Sequence, residues 1–246
     1  MKIGIIGGTG FYEIEGKEIE VETNYGNIIV FHFVKHDRDI FFIPRHGKKH
    51  IPAHMVNYHA NIEAMKRIGI DVIFAISTVG SMKKEIKPFS LFIPSDFIDF
   101  TKRKTTFFDE EAIHIDMSEP FCPVARKILL NKAKIYGKAY EGIYAATEGP
   151  RLETKAEINM LRNFAHVVGM TLVPEVILAR EAGICYSSLC IVSNYAAGLQ
   201  KFSIEEIKKI NEEMKPIVFK IIEECIKDVS EKRECKCRYA PHEGKI

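Results

Sequence analysis

A carboxylate at Glu153 and an amide at Asn194 can together read one edge of a purine. A 6-oxopurine presents N1–H as a donor and O6 as an acceptor, and adenine reverses both. Glu153 can accept from N1–H, while Asn194 can donate to O6 and accept from a proton arriving at N7. Spacing alone favours the plainer reading of a surface glutamate and a turn asparagine. Near the N-terminus, Gly7-Gly8-Thr9-Gly10 follows an apolar run and offers backbone amides and a hydroxyl to one phosphate. The dinucleotide spacing G-x-G-x-x-G fails at Glu13 and no G-K-[ST] is present, so a strand-ending turn explains the glycines equally well. Arg45-His46-Gly47 adds a guanidinium fork suited to a phosphate dianion, with an imidazole as a further donor, although a surface ion pair reads the same way. His46, His50 and His54 recur every four residues, but Pro52 interrupts a helix through them and H-E-x-x-H is lacking. No metal site is expected there.

The chain that must position these groups has 246 residues, 46% apolar, enough for one continuous core. A formal net charge of +2 gives no field that would favour nucleic acid or an anionic membrane surface. Apolar runs such as Val72 to Ile76 are strand-length, and no signal-peptide pattern stands at the N-terminus, so a cytoplasmic location is expected. Six cysteines lack paired metal-knuckle spacings, and most read as small buried hydrophobes. Cys235-Lys236-Cys237 is the exception, a pair able to form a tight disulfide or a redox couple. The composition, rich in Ile, Lys and Glu and poor in Gln, leans towards a thermophile, where intracellular disulfides occur.

Hydrophobic patterning predicts strands at Lys2 to Ile6, Asn27 to Phe33, Asp39 to Ile43, Val72 to Ile76, Phe89 to Ile93, Lys138 to Ala146, His166 to Val168 and Ile184 to Val192. Helices are predicted at Ala53 to Gly69, Pro123 to Tyr136, Thr154 to Phe164, Pro174 to Ala182 and Ser203 to Val229. Their alternation implies a single α/β domain over residues 1–246, a mostly parallel mixed sheet flanked by helices. Ligands of such sheets bind in the loops after the strands, which is where Gly7-Gly8-Thr9-Gly10, Arg45-His46-Gly47, Ser77-Thr78, Glu148-Gly149-Pro150 and Ser193-Asn194 are expected to converge.

Several of these motifs occur in an order that resembles a known family. Gly-Gly-Thr-Gly, Arg-His-Gly, Met117 to Cys122, Thr147 to Arg151, Gly169-Met170-Thr171 with Val173 to Glu175, and Glu181 to Tyr186 are similar to the methylthioadenosine phosphorylase branch of the trimeric purine nucleoside phosphorylases. The likeness runs from residue 3 to about 198 and weakens in the C-terminal helix. It implies that Thr9, Arg45, His46, Ser77, Thr78 and Thr171 hold phosphate, that Met170 lies by the ribose, and that His114 reaches into a neighbouring subunit's site. At the base the chain departs from that branch, which has aspartates where Asn194 and Ala196 stand and a serine where Glu153 stands. Leu152-Glu153-Thr154 with Asn194-Tyr195-Ala196-Ala197-Gly198 resembles instead the methylthioinosine phosphorylase subgroup, which acts on 6-oxopurines.

The resemblance implies phosphorolysis of a 6-oxopurine nucleoside, with inorganic phosphate as co-substrate and no cofactor or metal. Asn194 would assist the leaving base, Leu152, Glu153, Tyr195 and Ala196 would line the substrate side, and a homotrimer or a dimer of trimers is the family habit. Relatives that prefer inosine or guanosine commonly place a histidine near the 5′-hydroxyl. None stands here between Tyr195 and Pro241, where Ile204 and Ile207 suit a 5′-methylthio group. Methylthioinosine is therefore the expected substrate, with inosine and guanosine slower. The alternatives are a methylthioadenosine phosphorylase, a non-catalytic nucleoside-binding protein and, most distantly, a Rossmann oxidoreductase.

Overall fold

The computed structural model describes residues 1–11, 14–47, 49–201, 203–232 and 234–245; Glu13, where the dinucleotide spacing fails, lies outside them. Strands β1 (Lys2–Gly7), β2 (Lys17–Val21), β3 (Ile28–Lys35), β4 (Arg38–Pro44), β5 (Val72–Ser81), β6 (Leu91–Asp99), β7 (Ala139–Ala146), β8 (Val167–Gly169) and β9 (Cys185–Tyr195) form one sheet in the order β2-β3-β4-β1-β5-β8-β7-β6-β9. Because β9 pairs with both β6 and β5, the last five strands close on themselves. Antiparallel pairing is confined to β2-β3-β4 and two short stretches, β5 with β8 and β6 with β9. The mostly parallel mixed sheet expected from the sequence is thus found, with β2 added at its edge.

The helices are α1 (Tyr58–Ile68), α2 (Pro123–Tyr136), α3 (Lys155–Leu161), α4 (Leu172–Glu181), α5 (Ile204–Asp228) and α6 (Ala240–Glu243). Two obey their local signals: α2 starts with Pro123 in its first turn, and Ser203 caps α5 by accepting from the Glu206 amide at 3.2 Å. The predicted Ala53 start is not observed. Ala53–Met55 is a separate 3-10 turn, and α1 begins after Asn57, whose Oδ1 accepts from the Ala60 amide. Gly69 ends α1 at φ 81°, as its position predicts.

The topology has one fork. β1 pairs with β5 only from Val72 to Ala75, and β8 joins β5 only at Gly80 and Ser81, so among the described residues Ile76–Val79 keeps a strand partner on the β9 side alone. Ser77 and Thr78 are therefore strand residues beside a gap, where a loop was expected. β9 likewise runs on through Ser193 and Asn194. The register shifts there, with Val79 opposite Val192 and Gly80 opposite Asn194, so that Ser193 is an extra residue and a bulge turns Asn194 at the strand's end.

Candidate active site

The gap beside β5 is filled by the turn after β1, by Arg45 and His46 after β4, and by the start of α4. Together they border a cavity of 350 Å³. The Gly8 backbone lies so close to β5 that a Cβ there would stand 2.5 Å from the Ile76 carbonyl oxygen, which only glycine avoids. Thr9, Arg45, His46, Ser77, Thr78 and Thr171, from four separate segments, all reach this cavity. Two pairs are already joined: Ser77 Oγ and Thr171 Oγ1 lie 3.0 Å apart, and Thr78 Oγ1 donates to Asn211 Oδ1 at 3.3 Å.

Arg45 is not the free fork that the sequence suggests. Its Nε and one Nη donate to the two oxygens of Glu175 at 2.9 and 2.7 Å, and its other Nη donates to the Ile76 carbonyl at 2.7 Å. Three of the five N–H groups of a guanidinium are thereby used, leaving two for a ligand. Tyr186 Oη donates to the same Glu175 at 2.6 Å, and both charged side chains are fully enclosed. Burial opposes the guanidinium's charge, but Glu175 outweighs it and holds Arg45 above the ordinary arginine range. Burial, aided by Arg45, lowers His46 to about 4, while its bond to Ile51 opposes the shift. His46 is thus neutral at pH 7. Its Nδ1 donates to the Ile51 carbonyl at 2.8 Å, which leaves Nε2 as the other ring position.

The rest of the cavity wall includes Leu152, Glu153, Met170, Asn194, Tyr195, Ala196 and Ile207. Glu153 immediately precedes the Thr154 cap of α3. That cap is a reciprocal box in which Thr154 Oγ1 accepts from the Glu157 amide and Glu157 accepts from the Thr154 amide. Thr147 Oγ1 donates to Glu153 Oε1 at 2.6 Å, so the other oxygen remains an acceptor for the cavity. Asn194 Oδ1 accepts from Ser193 Oγ at 2.8 Å, and its Nδ2 donates to the Tyr195 carbonyl at 2.9 Å.

Two expected residues are not brought to the cavity. Ile204 opens α5 half exposed at 51%, and only Ile207 reaches the pocket. His114 lies on the surface, held through its backbone amide to the Gly244 carbonyl at 2.8 Å. Sequence reasoning in turn gave no role to Glu175, Tyr186 or Arg103. A buried arginine demands a carboxylate, and Glu175 and Tyr186 lie in motifs already singled out, which was the available signal. Arg103 carried none. It donates to the Met170, Val173 and Glu148 carbonyls at 2.6, 2.9 and 2.7 Å, joining the turn before α4 to the segment that leads to Glu153.

Comparisons with known proteins point to one family. Residues 2–227 match the model of the family described as the phosphorylase superfamily. A probable S-methyl-5′-thioinosine phosphorylase of Methanocaldococcus jannaschii is 45% identical over 246 residues, covering 97% of each chain. A probable 6-oxopurine nucleoside phosphorylase of Dictyoglomus turgidum is 43% identical, covering 98% of this chain and 96% of that one. Among solved structures, an adenosine/methylthioadenosine phosphorylase mutant of Schistosoma mansoni in complex with tubercidin superposes with a TM-score of 0.92 at 28% identity, covering 100% and 99% of the two chains.

Glu175→Ala leaves the buried Arg45 charge without its partner and should cost about 3–5 kcal/mol. The corresponding fall in melting temperature is roughly 6–20 °C. Replacing both partners by apolar residues, Arg45→Met with Glu175→Leu, should cost less than that single change. Thermal denaturation of the three proteins decides it, and a Glu175→Ala protein as stable as the parent would contradict the assignment.

His46 supplies a pH dependence. Its depressed pKa means that the unfolded chain binds more protons than the folded one between about 4 and 6.5. Stability must therefore be lost as pH falls through that window. Unfolding measured from pH 7 to pH 4 should be shallower in His46→Asn, and an unchanged slope would show that the imidazole does not titrate there.

Proposed function

The chain belongs to the phosphorylase superfamily, and from that premise we propose that it performs the reversible phosphorolysis of S-methyl-5′-thioinosine to hypoxanthine and 5-methylthioribose 1-phosphate. As a purine nucleoside phosphorylase it is a pentosyltransferase; inosine and guanosine are slower substrates in this reading. The observation that carries it is Glu153 facing the cavity with one oxygen held by Thr147. A carboxylate that already accepts a hydrogen bond on one side offers only a further acceptor on the other, which suits N1–H of a 6-oxopurine and repels the N1 lone pair of adenine. Asn194, turned at the end of β9, donates to O6 and supports the negative charge that builds at N7 as the base leaves.

Phosphate lies against the Gly8 turn, the Thr9, Thr78 and Thr171 hydroxyls and the remaining N–H groups of Arg45, below C1′ of an oxocarbenium-like sugar. No nucleotide cofactor enters this scheme. Met170 packs on the ribose, and Ile207 gives the 5′ end an apolar wall that suits a methylthio group better than a hydroxyl. The surface position of His114 is compatible with a homotrimer or dimer of trimers in which it completes a neighbour's site. A methylthioadenosine phosphorylase is the second reading, favoured by the extent of the likeness to the Schistosoma structure.

Turnover should require inorganic phosphate, and base release at an undiminished rate without it would make the enzyme a hydrolase. Thr9→Val should raise the phosphate KM about 10-fold or more, the loss of a hydrogen bond to a charged group, while leaving the nucleoside KM nearly unchanged. A comparison of kcat/KM for methylthioinosine and methylthioadenosine tests the base. Unpaired buried groups should disfavour the adenine nucleoside by roughly 10²- to 10⁵-fold. Asn194→Asp with Glu153→Ser should shift preference towards it. Equal or better turnover of methylthioadenosine by the unaltered protein would return it to the second reading.

A further inference from the structure

Four cysteines far apart in the sequence meet at the end of β9 opposite the active site. The Sγ atoms of Cys122, Cys185, Cys235 and Cys237 all lie within 4.8 Å of one another. The sequence shows only the C-x-C pair. Folding adds Cys185 from the first position of β9 and Cys122 from the N-cap of α2. No disulfide joins any of the six cysteines.

We propose that these four cysteines bind one zinc ion as a tetrathiolate, fastening the C-terminal segment to the barrel. Tetrahedral zinc with Zn–S bonds of about 2.3 Å sets its sulfurs about 3.8 Å apart, within the spacing seen here. Two disulfides would instead require choosing one of three pairings among four mutually close sulfurs. Binding exchanges four thiol protons for one divalent ion, so the cluster carries two negative charges and the protons leave to solvent.

Its surroundings suit that charge. Arg180 is buried at 8% exposure and donates from one Nη to Cys237 Sγ at 3.3 Å. Its Nε–H has no partner, and among the described residues no ion pair joins it to a carboxylate. A buried cation so placed needs an anion, and a zinc tetrathiolate supplies one. The N-terminus of α2, where Cys122 sits, also favours negative charge. Cys122, Cys185 and Cys237 are buried and Cys235 is half-buried, which gives the ion a way in from solvent.

The role is structural. Cys185 and Asn194 are nine residues apart on an extended strand, about 30 Å. The tail that Cys235 and Cys237 anchor runs through α6 to Gly244 and Lys245, where it pairs with His114 and Ile113. The clamp therefore also steadies the surface segment that carries His114.

Metal analysis of protein purified under nitrogen should find one zinc per chain, and none in Cys235→Ser, whose half-exposed site makes it the mildest of the four changes. Cobalt added to zinc-depleted protein should give thiolate charge-transfer and tetrahedral d–d bands, absent from the variant. Zinc loss should lower the melting temperature. The assignment is overturned by iron in place of zinc, by an intact mass lowered by the hydrogens lost to disulfides, or by four titratable thiols that take up neither zinc nor cobalt.

Discussion

The enclosed pair of Arg45 and Glu175 is the interaction on which the rest of the site depends. Arg45 leaves the end of β4, Glu175 lies in the first turn of α4, and Tyr186 belongs to β9, so one carboxylate ties three elements together. The third arm of Arg45 accepts the task that β1 and β8 leave undone at the fork, donating to the Ile76 carbonyl. Without that donor a strand carbonyl beside the gap would be left unpaired in the interior. Removing two charges from water is expensive, and such a pair seldom stabilises more than apolar packing would. What it gives in return is position: α4 can approach β5 in one way only, and Thr171 at its N-cap is brought to Ser77.

The base side is built differently. There the geometry comes from backbone irregularity and short-range bonds, with the Ser193 bulge turning Asn194 and the Thr154 box fixing the residue before it, Glu153. Arg103 couples the two walls by holding the carbonyls of Met170 and Glu148. The wall proposed for phosphate is thus set by a buried charge pair of long sequence separation, and the wall proposed for the base by local motifs joined through one arginine.

The same division bears on what the sequence made legible. α2 and α5 were readable because Pro123 and Ser203 mark their starts, whereas Glu153 stood out by the hydrogen bonds a carboxylate can offer a purine and by resemblance, not by spacing. β2 was missed since Lys17–Val21 is a short edge strand with only two apolar residues. β5 was cut short because Ser77, Thr78 and Gly80 look like a turn, whereas pairing with β9 carries the strand to Ser81. The helix assigned from Ala53 failed because Pro52 and Asn57 each impose a break. Arg103 and the four-cysteine cluster were invisible for another reason, since their meaning lies in partners 45 to 67 residues away or more, and no periodicity encodes that.

The charge balance of the wall proposed for phosphate follows from the same pair. Glu175 cancels most of the Arg45 charge, and His46 is neutral, so an arriving anion meets oriented donors more than net positive charge. Hydroxyls, glycine-turn amides and two remaining guanidinium N–H groups can orient phosphate without quenching it. A strongly cationic pocket would stabilise the free dianion as much as the reacting one, which lowers KM without raising kcat. In the proposed reaction, donors fixed in direction but modest in charge would hold the nucleophile below C1′ while leaving its electrons available. The cost of creating that wall is borne in the folded core, where Arg45 and Glu175 are already committed before any ligand arrives.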